Sequence, residues 1–415
     1  MLKKTHIQFY FKQLWLNYIN RKKSNLIRLN LSSIKRIAQY LNIKYWNSHI
    51  VTVSGTNGKG SFISYLYQIS KYHKIKLALY ISPHILSFNE RIKYVNNYIS
   101  DKSVNTFNIK ISKHTKYFFK SYFDFITILS FLFFCKKHIN VLVVETGLGG
   151  RLDSTNIINC HSKKLKIGVL TSISIDHGEY LGFSIKKIFY EKLGILNINM
   201  ILISCICNIP KVFIKFLKKK CYFSVTYKKK VDYFLSNKKL YFIFNNKTFI
   251  FPNKININKN SIFCLINIIL LFKYNLRLIK YKKYINNTAR FECISQRPYL
   301  FLDTAHNIAS FYHIHTKILY KKKEKLILFF ILPNKYISPI GRFFFKKGYI
   351  WFVKQNHKNI NFINKITQIS NKEVCIKSIK TVNLLKVINK IKTHKTNMFS
   401  FGSFYIIEEV LLNFF

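Results

Sequence analysis

A short apolar run followed by a glycine-rich turn decides the fold, and it reads Ile50-Val51-Thr52-Val53-Ser54-Gly55-Thr56-Asn57-Gly58-Lys59-Gly60-Ser61. The β-branched residues Ile50–Val53 predict a buried strand, and the pattern over Phe62–Tyr72 predicts a helix. A turn between a strand and a helix can surround phosphate oxygens with backbone N–H groups and the helix N-terminus. The stretch therefore predicts a nucleotide-binding loop.

Within this loop, Lys59 is expected to reach the terminal phosphates of a nucleotide and Ser61 to face the magnesium side. The remaining members of the predicted loop are Gly55, Thr56, Asn57, Gly58 and Gly60. The pattern departs from a strict Walker A sequence, because Gly60 separates Lys59 from Ser61 and Val53 stands where the first glycine would be. The same residues are also compatible with an ordinary glycine-rich turn.

Strand-like and helix-like segments alternate along the chain, which favours an α/β fold with parallel sheets. In the first part the predicted strands are Leu77–Ile81, Val141–Glu145 and Lys166–Ser172, and the predicted helices are Phe125–Lys137 and Ser261–Lys273. Tyr/Phe/Lys alternation over Tyr222–Phe251 predicts a small antiparallel patch. The second part has predicted strands at Tyr299–Asp303, Leu326–Ile331, Ile350–Val353 and Met398–Phe401, and predicted helices at Ile308–Tyr320 and Phe404–Leu412.

These patterns predict two domains with a boundary near Asn286. Residues 1–286 would form an N-terminal P-loop-type ATPase domain with a parallel sheet. Residues 287–415 would form a smaller C-terminal Rossmann-like α/β domain.

The charge of the chain is strongly positive, with 69 Lys and Arg against 15 Asp and Glu and a formal net charge of +54. Such a charge is typical of nucleic-acid binding. However, the basic residues are spread along the whole chain, and their excess accompanies heavy use of Ile, Asn, Phe and Tyr, which an AT-rich genome favours. Net charge bears on solubility and non-specific binding, not on the fold.

The eight cysteines form no C-x-x-C pair, so neither a zinc site nor a disulfide framework is predicted. The apolar runs Phe125–Cys135 and Ile262–Phe272 hold about a dozen residues each, below the ~18 needed to span a membrane. No signal-peptide core follows the basic start. We therefore expect a cytoplasmic protein without a membrane partner.

Several motifs occur in order from about Trp15 to the end of the chain. They are the nucleotide loop, Ser82-Pro83-His84-Ile85, Asn89-Glu90-Arg91, Phe123-Asp124-Phe125, Glu145-Thr146-Gly147-Leu148-Gly149-Gly150-Arg151-Leu152-Asp153-Ser154-Thr155-Asn156, Thr171-Ser172-Ile173, Asp176-His177, Leu181-Gly182, Glu191-Lys192-Leu193-Gly194-Ile195, Arg290-Phe291, Asp303-Thr304-Ala305-His306-Asn307 and Gly402-Ser403-Phe404. Together they resemble the folylpolyglutamate synthase/dihydrofolate synthase family of the Mur ligase superfamily, in its bifunctional bacterial form.

The resemblance implies an ATP-dependent ligase that joins L-glutamate to dihydropteroate or a reduced folate through an acyl phosphate. It implies Ser82, Glu145 and His177 as Mg²⁺ ligands, with Lys59, Lys192 and His177 as catalytic groups and Lys192 as a carbamylated lysine. ATP would also meet Asn260, Arg290, Asp303 and His306, and the acceptor would meet Asp124, Arg151, Asp153 and Asn156. The resemblance further implies that residues 1–286 form the domain that binds ATP and the folate or pteroate, and that residues 287–415 form the glutamate-ligase domain. Family members are commonly monomers, and no specific nucleic acid is implied.

The acidic residues are concentrated in the motifs, although the chain holds only 15. Those inside or beside the motifs are Glu90, Asp124, Glu145, Asp153, Asp176, Glu179, Glu191, Glu292 and Asp303. This concentration indicates that carboxylates stand where a cation and phosphates would need them.

Three departures from the family pattern fall in the second domain: Ala289 before Arg290, Ile308 after Asn307, and Pro333-Asn334-Lys335-Tyr336. They keep open the possibility of an enzyme impaired in glutamate or nucleotide binding. The sequence is also compatible with a different Mur-type amide ligase, and with a basic P-loop protein that binds nucleic acid. A nucleic-acid-binding protein would have a basic face with interleaved aromatic residues and would retain DNA or RNA in a salt-dependent manner.

Overall fold

The computed structural model describes residues 31–43, 47–115, 119, 121–160, 163–206, 209–226, 233–236, 239–244, 247–252, 259–272, 290–296, 299–305, 307, 309–310, 314, 325–329, 348–354, 374–380, 397–401, 407–408 and 410–412. The chain divides into two compact units. The first holds residues 1–173 and 179–285, and the second holds residues 174–178 and 286–415. The roles predicted for two domains split near residue 286 stay a prediction.

An eight-stranded sheet forms the centre of the first unit, in the order β4-β3-β2-β5-β1-β6-β7-β8. Its strands are β1 (His49–Ser54), β2 (Leu77–Tyr80), β3 (Ile92–Tyr94), β4 (Asn97–Tyr98), β5 (Val141–Glu145), β6 (Lys166–Leu170), β7 (Met200–Ser204) and β8 (Cys221–Thr226). The pairs from β2 to β8 are parallel, and β3 and β4 add an antiparallel edge. Strands β1 and β5 are buried almost throughout, as a parallel sheet covered on both faces requires.

The helices of the first unit are α1 (Leu31–Tyr40), α2 (Lys59–Tyr72), α3 (Asp101–Thr115), α4 (Tyr122–Cys135), α5 (Gly178–Leu181), α6 (Ile185–Leu193), α7 (Ile214–Lys220) and α8 (Lys259–Leu271), the first residue of α5 being counted with the second unit. Three apolar clusters contain residues from the sheet. One contains residues of α2 and α8, another contains residues of α1 and α4, and the third contains residues of α6. Short 3₁₀ helices occur at Phe88–Arg91, Ser154–Cys160 and Lys211–Phe213.

The antiparallel patch predicted over Tyr222–Phe251 is correct for its later part and wrong for its beginning. Strands β9 (Tyr233–Ser236), β10 (Lys239–Phe244) and β11 (Lys247–Pro252) form a three-stranded antiparallel sheet. However, β8 pairs with β7 in parallel at the edge of the main sheet. Alternation in sequence reports which face of a strand is exposed and not its direction, so it could not separate these two cases.

The second unit contains a six-stranded sheet in the order β12-β13-β17-β14-β15-β16. Its strands are β12 (Arg290–Gln296), β13 (Tyr299–Asp303), β14 (Lys325–Phe329), β15 (Gly348–Lys354), β16 (Val374–Lys380) and β17 (Asn397–Phe401). Only β12 is antiparallel, so the sheet confirms the predicted α/β class. Residues 309, 310 and 314 are helical, as are 407–408 and 410–412, while the other residues of the two predicted helices lie outside the described ones.

No helix within the described ranges is long and apolar enough to cross a membrane.

Candidate active site

The predicted nucleotide loop connects the end of β1 to the start of α2, with Gly60 and Ser61 in the first turn of the helix. It is held by the residues that follow β6, the strand beside β1. Ser172 accepts two hydrogen bonds, from Thr56 N to its carbonyl (2.8 Å) and from Asn57 N to its hydroxyl (2.9 Å). Thr171 Oγ1 donates to the Asn57 carbonyl at 2.8 Å. Neighbouring strand ends thus fix the loop at the carboxyl edge of the sheet, where α/β proteins bind ligands.

Replacing Gly55 with any other residue would displace the loop from Thr171. Its φ is +152°, and a Cβ atom there would lie 2.0 Å from Thr171 Oγ1. The close approach of the loop to Thr171 therefore depends on a glycine at this position.

Two lysine side chains converge on the carbonyl of Gly55. Lys59 Nζ donates to it at 2.9 Å, and Lys192 Nζ, from the last turn of α6, donates to it at 3.0 Å. Lys192 is buried, with 5% of its surface exposed. The structure thus brings together Lys59 and Lys192, which are 133 positions apart in sequence, at a loop suited to phosphate oxygens.

Two of the three predicted magnesium ligands lie near each other in the first unit. Glu145 ends β5 and is 3% exposed, and its Oε2 accepts a hydrogen bond from Ser82 N at 3.3 Å. Ser82 precedes Pro83 through a cis peptide bond. The carboxylate and hydroxyl oxygens are hard donors of the type that Mg²⁺ prefers.

The third predicted ligand, His177, belongs to the segment 174–178 of the second unit. It adopts a left-handed conformation (φ +52°), and its backbone N donates to Asp176 Oδ1 at 2.9 Å. Asn307 Nδ2 donates to the other oxygen of Asp176 at 3.0 Å. Among the residues that the structure describes, no group of three or more His, Cys, Asp or Glu side chains could hold a metal. The ligand set stays a prediction.

The loop that contains Ser82 is folded around the carboxylate of Glu90. Glu90 accepts hydrogen bonds from three consecutive backbone N–H groups, those of Ile85 (2.8 Å), Leu86 (3.0 Å) and Ser87 (2.8 Å). Beside it, Arg91 Nε donates to His84 Nδ1 at 2.7 Å. Burial, with Arg91 nearby, lowers the pKa of His84 to about 4, so the imidazole is neutral and serves as the acceptor.

The predicted acceptor residues Asp124 and Asp153 are buried beside Ser154. Asp124 caps α4 by accepting from Ser121 N at 3.2 Å, and it also accepts a hydrogen bond from the Ser154 hydroxyl. Asp153 accepts from the backbone of Leu148 at 2.7 Å and of Thr155 at 3.0 Å. Burial raises the pKa of Asp153, and these hydrogen bonds offset part of the effect.

The other predicted acceptor residues, Arg151 and Asn156, both contact the end of α6. Arg151 Nε and Nη2 donate to Glu191 Oε1 at 3.1 and 2.9 Å, and this hydrogen-bonded carboxylate raises the pKa of Arg151. Asn156 Nδ2 donates to the carbonyls of Arg151 (3.1 Å) and Gly194 (2.9 Å). Their predicted contacts with the acceptor are not tested by these bonds.

The remaining predicted nucleotide contacts are only partly described. Asp303 ends β13, and its Oδ1 accepts from Ala305 N at 2.7 Å. Asn260 lies in α8 and Arg290 begins β12, but their side chains lie outside the described atoms. His306 lies outside the described residues altogether.

Sequence reasoning gave no role to the residues that shape these loops, namely Thr171, Ser172, Glu90 and Glu191. A signal for the first two was present, since they end the predicted strand Lys166–Ser172 of the parallel sheet, although the observed strand ends at Leu170. Carboxyl ends of parallel strands share one edge of a sheet, so residues just after β6 can meet the loop after β1. Glu90 and Glu191 gave no such signal, because their partners are set by the folded loops.

A glycine-rich loop between a parallel strand and a helix, with two lysines at its carbonyl, defines the first unit as a nucleotide-binding α/β fold. No family model matches the chain. It is 29% identical to the protein named dihydrofolate synthase/folylpolyglutamate synthase of Buchnera aphidicola subsp. Schizaphis graminum, over 98% of this chain and 97% of that one. It is 34% identical to the protein of the same name from Haemophilus influenzae, over 48% of this chain and 44% of the other.

Solved structures share the fold along nearly the whole chain. The Escherichia coli FolC protein in complex with DHPP and ADP has a TM-score of 0.81 at 20% identity and covers 96% of both chains. The bifunctional folylpolyglutamate synthase/dihydrofolate synthase of Yersinia pestis, complexed with AMPPNP and Mn, has a TM-score of 0.80 at 20% identity and covers 97% of both chains. Along nearly its whole length, the chain is thus similar to proteins named dihydrofolate synthase/folylpolyglutamate synthase, and it shares the fold of their solved structures.

Proposed function

We propose that this chain is an ATP-dependent ligase that joins the amine of L-glutamate to the carboxylate of dihydropteroate or a reduced folate. The observation that carries the proposal is the convergence of Lys59 Nζ and Lys192 Nζ on the carbonyl of Gly55, at 2.9 and 3.0 Å. Two lysine side chains thus meet at a loop whose strand–turn–helix setting suits phosphate oxygens. The near full-length similarity to the Buchnera protein supports the particular substrates.

In the proposed reaction, a carboxylate oxygen of the acceptor attacks the γ-phosphorus of ATP, and the bond from phosphorus to the bridging oxygen of ADP breaks. The nitrogen of glutamate then attacks the acyl carbon, and phosphate leaves as the amine loses its proton. Phosphoryl transfer depends mainly on positioning and on neutralising charge. Lys59 and the backbone N–H groups of the loop supply that function on the ATP side.

Glu145 and Ser82 fit a magnesium ion, because the buried carboxylate of Glu145 and the hydroxyl of Ser82 offer hard oxygen ligands. A bound Mg²⁺ would neutralise phosphate charge during the transfer. His177 remains the third proposed ligand.

Lys192 is the proposed site of carbamylation, in which its neutral amine attacks CO₂, forms an N–C bond and releases a proton. The buried position at the nucleotide loop supports this assignment. Supplying ¹³CO₂ should give a carbamate signal in the ¹³C spectrum that is lost in Lys192→Ala. A spectrum that is the same in the two proteins would contradict it.

We further propose that the enzyme is bifunctional and works as a cytoplasmic monomer on small-molecule substrates. The test is release of phosphate by the purified protein with ATP, Mg²⁺ and glutamate. It is run with dihydropteroate, with a reduced folate and with no acceptor, beside Lys192→Ala. We expect release only when glutamate and an acceptor are both present, with either acceptor, and a large decrease in the variant. Release that needs no acceptor, or none at all, would overturn the proposal.

A further inference from the structure

The position of the Lys192 amino group depends on how the end of α6 is held. A lysine side chain is a flexible four-carbon stem, so its Nζ reaches the Gly55 carbonyl reproducibly only if the backbone of the helix is fixed. Lys192 lies in the last turn of α6, which ends at Leu193, and Gly194 follows as the C-cap.

Two sets of hydrogen bonds join this helix end to the segment 150–156. Arg151 binds Glu191 through both its backbone and its side chain. Its backbone N donates to the Glu191 carbonyl at 2.8 Å, and its guanidinium donates to the Glu191 carboxylate at 2.9 and 3.1 Å. Asn156 Nδ2 donates to the carbonyl of Gly194 at 2.9 Å and to that of Arg151 at 3.1 Å. The residues on both sides of Lys192 are therefore attached to one segment.

The two backbones also touch. A Cβ atom at Gly194 would lie 2.1 Å from Arg151 Cβ, and one at Gly150 would lie 3.0 Å from the carbonyl oxygen of Lys192. At this distance the helix end cannot move toward the segment, and the hydrogen bonds prevent it from moving away.

Gly149, the residue just before this segment, is joined to the strand that carries the nucleotide loop. Ser54, the last residue of β1, donates from its hydroxyl to the Gly149 carbonyl at 2.8 Å. Gly55 follows Ser54 directly. A path of hydrogen bonds and covalent bonds thus runs from the Gly55 carbonyl through Gly149 and Asn156 to the helix that carries Lys192.

We infer that Asn156, supported by the Arg151–Glu191 pair, is a positioning residue that fixes the end of α6 so that Lys192 meets the nucleotide loop. Asn156 is 7% exposed, and both hydrogen atoms of its amide nitrogen have a backbone carbonyl as partner. The amide donor therefore acts on the protein itself and not on the acceptor substrate. The role in catalysis rests on the proposed function of Lys192, whereas the positioning of its amino group does not.

The first experiment measures positioning without reference to catalysis. An amine-reactive anhydride is added to the folded protein in buffer freed of CO₂, so that the Lys192 amine carries no carbamate, and the labelling rate of Lys192 is followed by peptide mass spectrometry. In Asn156→Ala the rate should rise by about tenfold, the scale on which loss of a buried hydrogen bond favours local opening.

The matched control is Asn267→Ala. Asn267 is 6% exposed, and its Nδ2 donates to the Phe263 carbonyl at 2.8 Å within α8, so the substitution also removes a buried amide donor. Labelling of Lys192 should stay at the wild-type rate in this control. An equal rise in both variants would show a general loss of stability and would overturn the inference.

The second experiment uses kinetics to separate positioning from contact with the acceptor. In Asn156→Ala we expect kcat to fall with dihydropteroate and with the folate alike, while the KM of each acceptor changes less than about twofold, the pattern left by loss of a transition-state interaction. The double variant Asn156→Ala/Lys192→Ala should have the same kcat as Lys192→Ala alone, because the effects of residues that act through one another are not additive.

A raised acceptor KM with an unchanged labelling rate would make Asn156 an acceptor contact and overturn the inference, leaving the ligase assignment intact. If the wild-type protein shows no ligase activity, the proposed function fails. The labelling result then still decides whether Asn156 positions Lys192.

Discussion

The nucleotide loop and the segment 147–156 lie side by side in the first unit, but different charged side chains hold their backbones. At the nucleotide loop, lysine amino groups and hydroxyls donate to backbone carbonyls, and the Gly55 carbonyl receives two amino groups. In the segment 147–156 and in the loop that contains Ser82, carboxylates accept hydrogen bonds from backbone N–H groups, as Asp153 and Glu90 do. Lysine amino groups thus meet the loop that would bind phosphates, while carboxylates shape the surrounding backbone.

This difference changes the meaning of the acidic residues in the motifs. Their concentration predicted a site for a cation and phosphates. In the structure, Glu90, Asp153, Asp303 and Asp124 accept backbone N–H groups, and Glu191 pairs with Arg151. A chain with few carboxylates can therefore retain them to fold loops. Among the carboxylates that the structure describes, only Glu145 is both deeply buried and placed at a strand end beside Ser82.

The largest effect should come from breaking the nucleotide loop at Gly55. In Gly55→Ala the new Cβ would lie 2.0 Å from Thr171 Oγ1, so the loop must move and ATP binding should weaken by at least about 100-fold. Titration with a fluorescent ATP analogue measures this.

Gly58→Ala is the matched control, because its Cβ would meet nothing nearer than 4.0 Å, although its φ of +85° carries a cost of about 1–2 kcal/mol. It should bind nucleotide more tightly than Gly55→Ala. Equal binding by the two variants would show that the contact with Thr171 does not matter.

A smaller effect is expected where a carboxylate folds a loop. Glu90→Gln keeps the size of the side chain but removes one of the two oxygens that accept from Ile85, Leu86 and Ser87. The free energy of unfolding should fall by about 1–3 kcal/mol, as for a buried donor left without its partner. Urea denaturation measures it, and an unchanged midpoint would count against a folding role.

Asp153 should make stability depend on pH in a defined direction. Burial raises its folded-state pKa above the ordinary value of 3.8, so the unfolded chain loses the proton first as the pH rises. The free energy of unfolding should therefore decrease as pH rises from 3.8 through the folded-state pKa. In Asp153→Asn this decrease should be absent, which urea denaturation at several pH values would show. Identical pH profiles would contradict the prediction.

The smallest effect should follow loss of the Arg151–Glu191 ion pair. The two side chains are 39% and 16% exposed, so solvent screens the pair and its contribution should be about 0.2–1 kcal/mol. Arg151→Gln should lower the free energy of unfolding by this amount at low salt and by less at about 1 M salt. A loss that is larger or independent of salt would mean that packing dominates.

The positions of many strands and helices could be predicted from the sequence, because the spacing of apolar residues indicates them. Strand β13 is predicted with its observed ends, and so is β5. The nucleotide loop, too, has the predicted strand–turn–helix setting. These features depend on local patterns of apolar residues, glycine and lysine.

The contacts that complete the site could not be read in the same way. Arg151 and Glu191 meet across 40 positions, and Lys192 meets Gly55 across 137. Such partners are fixed by the order of strands in the sheet and by close backbone approach, as at Gly194. The parallel pairing of β8 was missed for a related reason, since the alternation of apolar and polar residues is the same in parallel and antiparallel strands.

The most direct test of the ligase assignment follows one oxygen atom through the reaction. The acceptor is prepared with ¹⁸O in the carboxylate that would receive glutamate, and the phosphate released with ATP and unlabelled glutamate is analysed by mass spectrometry. An acyl phosphate intermediate requires that one ¹⁸O atom per turnover appears in the phosphate. Phosphate without ¹⁸O would show that water attacked ATP, and it would contradict the account.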